Sequence, residues 1–461
     1  MGGQLFAAAA LESPKSIHSV HMAEAPPSNG DGSISRRTSR RRELTLFWAV
    51  VLNVVGALVA AIAVLALLIW WLGLSGKIAN STGPVISLTQ LAFALVAGVG
   101  ATTGLVIAYR KHQLDAGAEA REVQRFFNER FGTAAAQLAS ELPAVQLAGI
   151  YSMAGLADDW VGGRQQCIEV LCANLRRAYE PEPSGNTTGA FNAARLAWKD
   201  NQEFRHTLVR VVAHRLRPDS KVSWQGHSFD FSGATFDGGD FSRIQVDTGT
   251  ILNFSTAQFV RGTVSFVSAE VSGGRCDFER AQLDGGVLDF TSAKLTAGVL
   301  SFIRAGCSSG KLDFTTARFA AGDLIFFKAH FDGAGVSFFG SRFEGTRVNL
   351  SGTTFKAGNT FIEQAEFAAG SVSFFNARFT GGLVSFTAAR FTGAEVDFTQ
   401  AHFEGGLVSF AQAEFTAGRI DLSTAVVLAS GLTFDFDPDR PPPGVLLPTS
   451  PARAPGEAES S

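Results

Sequence analysis

Residues Phe386–Asp397 read FTAARFTGAEVD, and the next twelve residues, Phe398–Ser409, read FTQAHFEGGLVS. Both segments follow the pattern F-x-x-A-x-F-x-x-G-x-V-x, with alanine in place of the glycine in the first. The pattern recurs from Phe254 to about Phe434. A fixed internal period is typical of architectures in which each repeat packs only against its neighbours. The sequence therefore predicts a solenoid over this region.

Three apolar columns follow from the period. The first runs every twelve residues from Phe254 to Leu422, the second from Phe259 to Phe415, and the third, mostly Val or Leu, from Val264 to Ile420. Residues two apart on a strand point to the same face, so members of these columns share the inner wall of a strand. Alanine stands two residues before the second column, and glycine stands two residues before the third. These small residues predict corners of the coil where neighbouring backbone approaches closely or where φ is positive.

A helical array is the main alternative to a β-helix. It does not fit, because steps of five and seven residues match no face of a helix with 3.6 residues per turn. Each glycine would also cost roughly 1 kcal/mol in a helix interior. Strands are therefore the predicted element throughout the repeat.

The stretch Phe231–Phe241, FSGATFDGGDF, has phenylalanine at every fifth position. This pattern resembles the pentapeptide-repeat family, and the resemblance implies an all-β, right-handed quadrilateral β-helix. From Phe254 onward every third step adds two residues, so we expect twelve-residue units and about 24 residues per coil. A coil of twelve is the competing count, but it would crowd two Phe and one Val into one turn. The predicted β-helix covers residues 222–434.

Two long apolar runs precede the repeat. Residues 1–43 read as a disordered basic tail, and residues 44–110 contain two charge-free runs, Leu44–Leu74 and Val85–Tyr109, each long enough to cross a bilayer. Basic residues flank the pair on its outer ends, namely Arg36, Arg37, Arg40, Arg41, Arg42, Arg110 and Lys111. The positive-inside rule then predicts a multi-pass protein of the cell membrane, with both termini and the β-helix in the cytoplasm.

Residues 111–216 have apolar residues at helical spacing and are predicted to form an α-helical module. Helices are expected on either side of the Pro- and Gly-containing segment EPEPSGNTTG at Glu180–Gly189. Part of it resembles a module that precedes pentapeptide repeats in bacterial, actinobacterial-like membrane proteins. The matching pieces are Glu129–Phe131, Gln137–Leu138, Gly149–Tyr151, Leu156–Asp158 and Val170–Leu171. The resemblance implies no activity. Residues 435–461 are proline-rich and are predicted to be a disordered tail that discourages a further strand, and the helix ending at Leu216 is expected to cover the first coil.

The sequence offers no constellation for catalysis, cofactor or metal binding. Cys276 and Cys307 fall in inward columns, and Cys167 and Cys172 are five apart on a predicted helix, so all four are expected to pack as apolar residues. The eight histidines are scattered, at 18, 21, 112, 206, 214, 227, 330 and 402. Adjacent carboxylates at Asp158 and Asp159 point apart on a helix and are interpreted as a solvated helix end. We therefore expect no enzyme and no cofactor.

The charge of the repeat region argues against nucleic-acid binding. Residues 222–440 contain 23 Asp and Glu and 16 Lys and Arg, a net charge of about −7, whereas nucleic-acid binding needs a basic stripe. The main hypothesis is a membrane-anchored scaffold that presents a rigid β-helix to unknown protein partners. The alternatives are a DNA-mimicking regulator of a topoisomerase and an accessory subunit of a membrane channel or transporter. Homo-oligomers are possible in each case.

Overall fold

The computed structural model describes residues 83–185, 189–427 and 432–448, together with nine helical positions between 55 and 71. The chain divides into two compact units, residues 1–121 and 122–461. The predicted tail at 1–43, most of the first predicted span and the end of the chain after 448 lie outside the described residues.

Four α-helices precede the strands. They are α1 (Gly83–Leu138), α2 (Pro143–Asp159), α3 (Arg164–Leu175) and α4 (Gly189–Leu216), with a short 3-10 turn at Val161–Gly163. Pro143 stands in the first turn of α2, where its missing N–H costs no hydrogen bond. The C-terminal turns of α1 pack Phe127, Ala134 and Leu138 into the same core as α2, α3 and α4.

The structure does not support the two predicted transmembrane helices. Among the described residues, no helix combines the length and the apolar composition that crossing a membrane requires. The second predicted span lies within α1, which continues as one helix through Arg110, Lys111 and the charged residues that follow, to Leu138. The first predicted span lies mostly outside the described residues.

The repeat forms two parallel sheets that alternate along the chain. Sheet A contains β1 (Ser228–Asp230), β4 (Gln245–Val246), β5 (Ile251–Asn253), β8 (Glu270–Asp277), β10 (Lys294–Ser301), β12 (Arg318–Phe319), β13 (Asp323–Ile325), β16 (Arg342–Asn349), β19 (Glu366–Ser373), β22 (Arg390–Asp397), β25 (Glu414–Asp421) and β28 (Val445–Leu446). Sheet B contains β2 (Thr235–Phe236), β3 (Gly239–Asp240), β6 (Gln258–Phe259), β7 (Thr263–Ser265), β9 (Gln282–Asp289), β11 (Gly306–Asp313), β14 (His330–Phe331), β15 (Gly335–Ser337), β17 (Thr354–Phe355), β18 (Asn359–Phe361), β20 (Arg378–Phe379), β21 (Leu383–Ser385), β23 (His402–Phe403), β24 (Leu407–Phe410), β26 (Val426–Val427) and β27 (Leu432–Phe434).

The strand register confirms the predicted coil of about 24 residues and excludes a coil of twelve. Phe367 pairs with Phe391, and Val372 pairs with Val396, each 24 positions further along the chain. The first coil is less regular, because Phe229 pairs with Leu252 after 23 residues. The described strands make a β-solenoid of about nine turns, a geometry consistent with a pentapeptide-repeat-like fold.

Phenylalanine ladders fill the interior. Phe374 and Phe398 stack with ring centroids 4.6 Å apart and planes 1° apart, and Phe386 stacks on Phe410 at 4.8 Å. Rings of neighbouring ladders meet edge to face, as Phe374 and Phe386 do at 76°. Both geometries are favourable for aromatic pairs. The predicted inward columns are therefore the core of the solenoid.

In most units of the repeat, the residue two positions after the first inward column has a left-handed conformation, which the sequence pattern does not predict. The carbonyl of Phe386 accepts a hydrogen bond from the Ala389 N–H at 3.0 Å, and Ala388 between them has φ of 56°. Thirteen non-glycine residues of the described chain have positive φ, almost all at this point of the repeat. Gly340 and Gly352 occupy the same place in two units. Hydrogen bonds to the next coil, such as that from the Ala388 N–H to the Ala411 carbonyl at 2.9 Å, hold the strained residues.

The predicted glycine column lies at a second corner, against the backbone of the preceding coil. Gly382 has φ of 70°, and a Cβ added to it would come within 2.1 Å of the Gly358 carbonyl oxygen. The same holds for Gly310 against Gly286, also at 2.1 Å. Both close approach and positive φ therefore require glycine at these positions.

Helices cover the first coil, as expected from the sequence. The helix α4 contacts β3, and α3 contacts β1. Gly239 lies against Val209, whose methyl group would come within 3.2 Å of a Cβ at that glycine. Buried residues of the helices and of the first coil belong to one continuous core. This covering removes an exposed sheet edge at that end.

The solenoid ends later than the sequence predicted. The sequence predicts a disordered tail over 435–461, but Val445 and Leu446 form β28 and pair with β25. The Ile420 N–H donates to the Gly444 carbonyl, and the Leu422 N–H donates to the Leu446 carbonyl, both at 2.8 Å. The prolines at 441–443 stand before the strand, so their missing N–H groups remove no ladder hydrogen bond.

Replacing Phe386 by alanine should lower the free energy of unfolding by roughly 3–5 kcal/mol, because a ring buried in a stacked ladder leaves a cavity. The exposed Arg390, which pairs with Glu414 on the outside, should tolerate alanine to within about 0.5 kcal/mol. Urea unfolding followed by circular dichroism measures both. Equal losses at the two sites would contradict the inward and outward assignment.

Replacing Ala388 by glycine should raise the free energy of unfolding by up to about 1 kcal/mol, because glycine adopts positive φ without strain. The neighbouring Ala389 is buried with ordinary φ, so the same substitution there should lower stability by about 1 kcal/mol. Urea midpoints of the two variants provide the comparison. A loss at Ala388 as large as that at Ala389 would show that its left-handed backbone carries no strain.

Candidate interaction surfaces

The outer face of sheet A is charged, and its charges pair along the rod. Among the described residues, four ion pairs join successive coils on this face: Arg318 with Glu344 at 2.8 Å, Arg342 with Glu366 at 3.0 Å, Arg347 with Asp323 at 2.6 Å, and Arg390 with Glu414 at 3.3 Å. Ion pairs as exposed as these contribute little to stability. Their main effect is to cancel charge locally, so this face has acidic and basic groups in alternation.

The outer face of sheet B is more apolar in its last coils. Leu383 and Leu407 lie side by side in the register of β21 and β24, and Leu407 is 41% exposed. In the neighbouring outward column, Val426, also exposed, pairs with His402 of the preceding coil. Arg378 at the edge of this group pairs with Glu404 at 2.8 Å. We call the outward residues Arg378, Leu383, His402, Leu407 and Val426 the sheet B face.

The repeat pattern predicts variable residues at all outward positions and does not distinguish the outer face of sheet A from that of sheet B. The signal was present, because GGLVSF occurs at Gly381–Phe386 and again at Gly405–Phe410. In each copy the valine is inward, so the leucine before it must face outward. An apolar outward residue repeated one coil apart is the feature that distinguishes this face.

A groove lies between the helices. It has a volume of about 520 Å³ and lies between the start of α2, the end of α3 with the segment after it, and the first half of α4. Its lining residues are Glu141, Pro143, Gln146, Asn174, Arg177, Ala178, Glu180, Ala193, Leu196, Ala197, Asp200, Asn201, Phe204 and Arg205. The first turns of α4 are exposed on several sides, which leaves the groove open.

Asp158 and Asp159 point apart, as expected, but Asp158 is not a solvated helix end. Its carboxylate accepts a hydrogen bond from the Trp224 indole N–H at 2.8 Å and pairs with Arg215 at 2.9 Å. The Arg215 guanidinium also lies over the Trp224 ring, 5.2 Å from its centroid. Asp158 therefore links α2 and α4 to the start of the solenoid, while Asp159 pairs with Arg130 on the surface.

A second polar cluster fastens α4 to the first coil. Asp237 is only 4% exposed, and it contacts Gln202 at 3.0 Å and His206 at 3.3 Å. Burial opposes ionisation of Asp237, but the hydrogen bonds and the charges of His206 and Arg205 outweigh it, so the pKa of Asp237 lies below its usual value. The sequence had no signal for this cluster, because Asp237 occupies an ordinary position of the plain repeat.

The four cysteines are buried and are packed as predicted. Burial raises the pKa of Cys276 and of Cys307 to about 12 and that of Cys167 to about 11, and it also raises the pKa of Cys172. Thiols with such pKa values remain protonated and are poor nucleophiles. Within the described residues, no three His, Cys, Asp or Glu side chains are grouped so that they could hold a metal ion.

Comparison of the chain with known protein families, with curated proteins and with solved structures finds no match in any of the three. The likeness to pentapeptide repeats therefore rests on the sequence pattern and the coil geometry. The bacterial, membrane-protein assignment stays a prediction.

Replacing Asp237 by asparagine should lower the free energy of unfolding by roughly 1–3 kcal/mol at neutral pH, because hydrogen bonds to a buried carboxylate are lost. A carboxylate with a lowered pKa stabilises the fold above its unfolded pKa, and this contribution disappears as pH falls through the folded value. The wild-type advantage should therefore shrink as pH falls from about 5 towards 3. Urea midpoints across that range, with exposed Asp332→Asn as the control, test this. A pH-independent difference would contradict the ionised assignment.

Proposed function

We propose that this protein is a protein-interaction scaffold and that the sheet B face of its solenoid binds the partner. The supporting observation is the outward pair of Leu383, half-buried, and Leu407, 41% exposed, on a face whose opposite side carries most of the cross-coil ion pairs. Apolar side chains grouped on a folded surface are typical of protein contact sites. Solenoids commonly use an extended face in this way.

Rigidity adds to the case for a scaffold. Leu383 and Leu407 stand on strands hydrogen-bonded to each other in register, and the ring ladders behind them are closely stacked. A surface that is already ordered loses little conformational entropy when a partner binds. We further propose that the coil is right-handed and four-sided, as the resemblance to pentapeptide repeats implies.

The two alternative functions have less support. Mimicry of DNA for topoisomerase regulation needs a continuous acidic face, whereas arginines alternate with acids on sheet A and pair with them. A role as an accessory subunit of a channel or transporter has no described feature in its favour. The expectation of no catalytic activity remains a prediction, as does the location at a cell membrane with the rod in the cytoplasm.

The test uses full-length protein, because α2, α3 and α4 share a core with the first coil and deletion of the rod would expose it. Tagged wild type is expected in carbonate-washed membranes, and Leu383→Ser with Leu407→Ser should lose the proteins that co-purify with it after mild extraction. Arg390→Ser with Glu414→Ser on sheet A is the matched control and should keep them. Quantitative mass spectrometry compares the three.

Two outcomes would count against the proposal. The same co-purifying proteins in equal amounts from wild type and the leucine variant would remove the sheet B face as the binding surface. Recovery of the wild type in the carbonate supernatant would contradict the membrane location while leaving the scaffold proposal in place.

A further inference from the structure

The groove between the helices carries carboxylates without partners. Glu141, Glu180 and Asp200 line it, and none of the three has a hydrogen bond or ion pair from its side chain to another described residue. Glu182, two residues from Glu180, shows the contrast, because it pairs with Arg195 at 3.6 Å and with Arg261 at 2.9 Å. Arg177 and Arg205 also line the groove, so its lining carries three acidic and two basic groups, and the three carboxylates remain free to meet a cation.

Arg205, another lining residue of the same groove, has an unused donor. Arg205 is 4% exposed and lines the groove. Its two terminal nitrogens donate to the carbonyls of Leu175, at 3.2 Å, and Thr235, but its buried Nε has no partner among the described residues. A buried N–H without an acceptor is costly, and a ligand carbonyl would supply the acceptor. This second feature is independent of the acidic residues.

The rim of the groove is apolar at two points. Leu142 is 64% exposed and Leu196 is 61% exposed; Leu142 stands between Glu141 and Pro143 of the lining, and Leu196 is itself a lining residue. Exposed aliphatic side chains beside charged ones favour a ligand that is itself amphipathic. A bare metal ion or a small anion would use neither leucine.

We propose that this groove binds a basic, amphipathic peptide segment of a partner protein. Its lysine or arginine side chains would meet Glu141, Glu180 and Asp200, a main-chain carbonyl would accept from Arg205, and an aliphatic side chain would cover Leu142 and Leu196. Basic segments with interspersed apolar residues fit because the charged contacts set selectivity and the apolar ones exclude water. The groove is separate from the sheet B face, so either proposal can fail without the other.

The experiment measures fluorescence anisotropy of a labelled peptide made of lysine, leucine and alanine, titrated with the full-length protein at low ionic strength. A peptide of the same order with glutamate for lysine is the ligand control. The lysine peptide should bind with Kd on the order of 10–100 μM, and binding should weaken as salt rises. The glutamate peptide should not bind.

The variant Glu141→Gln with Glu180→Gln and Asp200→Asn should weaken binding at least about tenfold, because it removes the charge and keeps the shape. A matched control neutralises three acidic groups elsewhere, by Glu122→Gln, Asp332→Asn and Glu395→Gln, and should bind like wild type. Leu142→Ser with Leu196→Ser should weaken binding several-fold. All changed side chains are exposed except Asp200, which is half-buried, and unchanged circular dichroism and melting curves would confirm that the variants fold.

Three results would overturn the proposal. One is binding by the carboxylate variant within about twofold of wild type, which is close to the error of such titrations. Another is equal binding of the glutamate peptide. The third is displacement of the lysine peptide by spermidine at equal concentration of charge, since it would show a general attraction for polycations and no peptide site.

Discussion

Hydrogen bonds between coils pair most strand residues with the residue 24 positions earlier in the chain. The packing of the rod depends on that spacing. Strands so paired lie about 4.8 Å apart. Rings in the ladders stack at 4.6–5.2 Å, which is the same distance, so one phenylalanine per coil fills each column without a gap. Where Leu350 and Ile362 interrupt two ladders, a void of about 20 Å³ remains beside them.

The same spacing explains why strained backbone is tolerated. Left-handed conformations cost about 1–2 kcal/mol for a residue with a side chain, yet Arg304, Lys328 and Gln400 adopt them. Each such residue donates its N–H to a neighbouring coil or lies in a turn closed by another hydrogen bond. A chain that left this conformation would lose register with two neighbouring coils. The stack therefore selects the conformation, and the local sequence does not.

Features set by the repeating side chains could be predicted from the sequence, whereas features set by contacts between distant elements could not. The period of twelve, the inward columns and the coil of 24 follow from side-chain chemistry that repeats along the sequence. Asp158 and Asp237 act through contacts with Trp224 and His206, on elements whose approach no local pattern encodes. The groove depends on how α2, α3 and α4 come together. The strand at Val445 was missed because three prolines before it suggested a tail, although they lie outside the ladder.

The repeat constrains the inside of the rod and leaves the outside free, so information about partners must lie in how the outer faces differ. Selection for stability alone would accept a polar residue at 383 or 407, since outward side chains contribute little to folding. A leucine at both positions, one coil apart, is the difference that the proposed binding surface uses. Arginine and glutamate alternate on sheet A and neutralise each other, which discourages unspecific contacts. A charge-paired face and a partly apolar face on a rigid rod are the features on which the proposed partner binding rests.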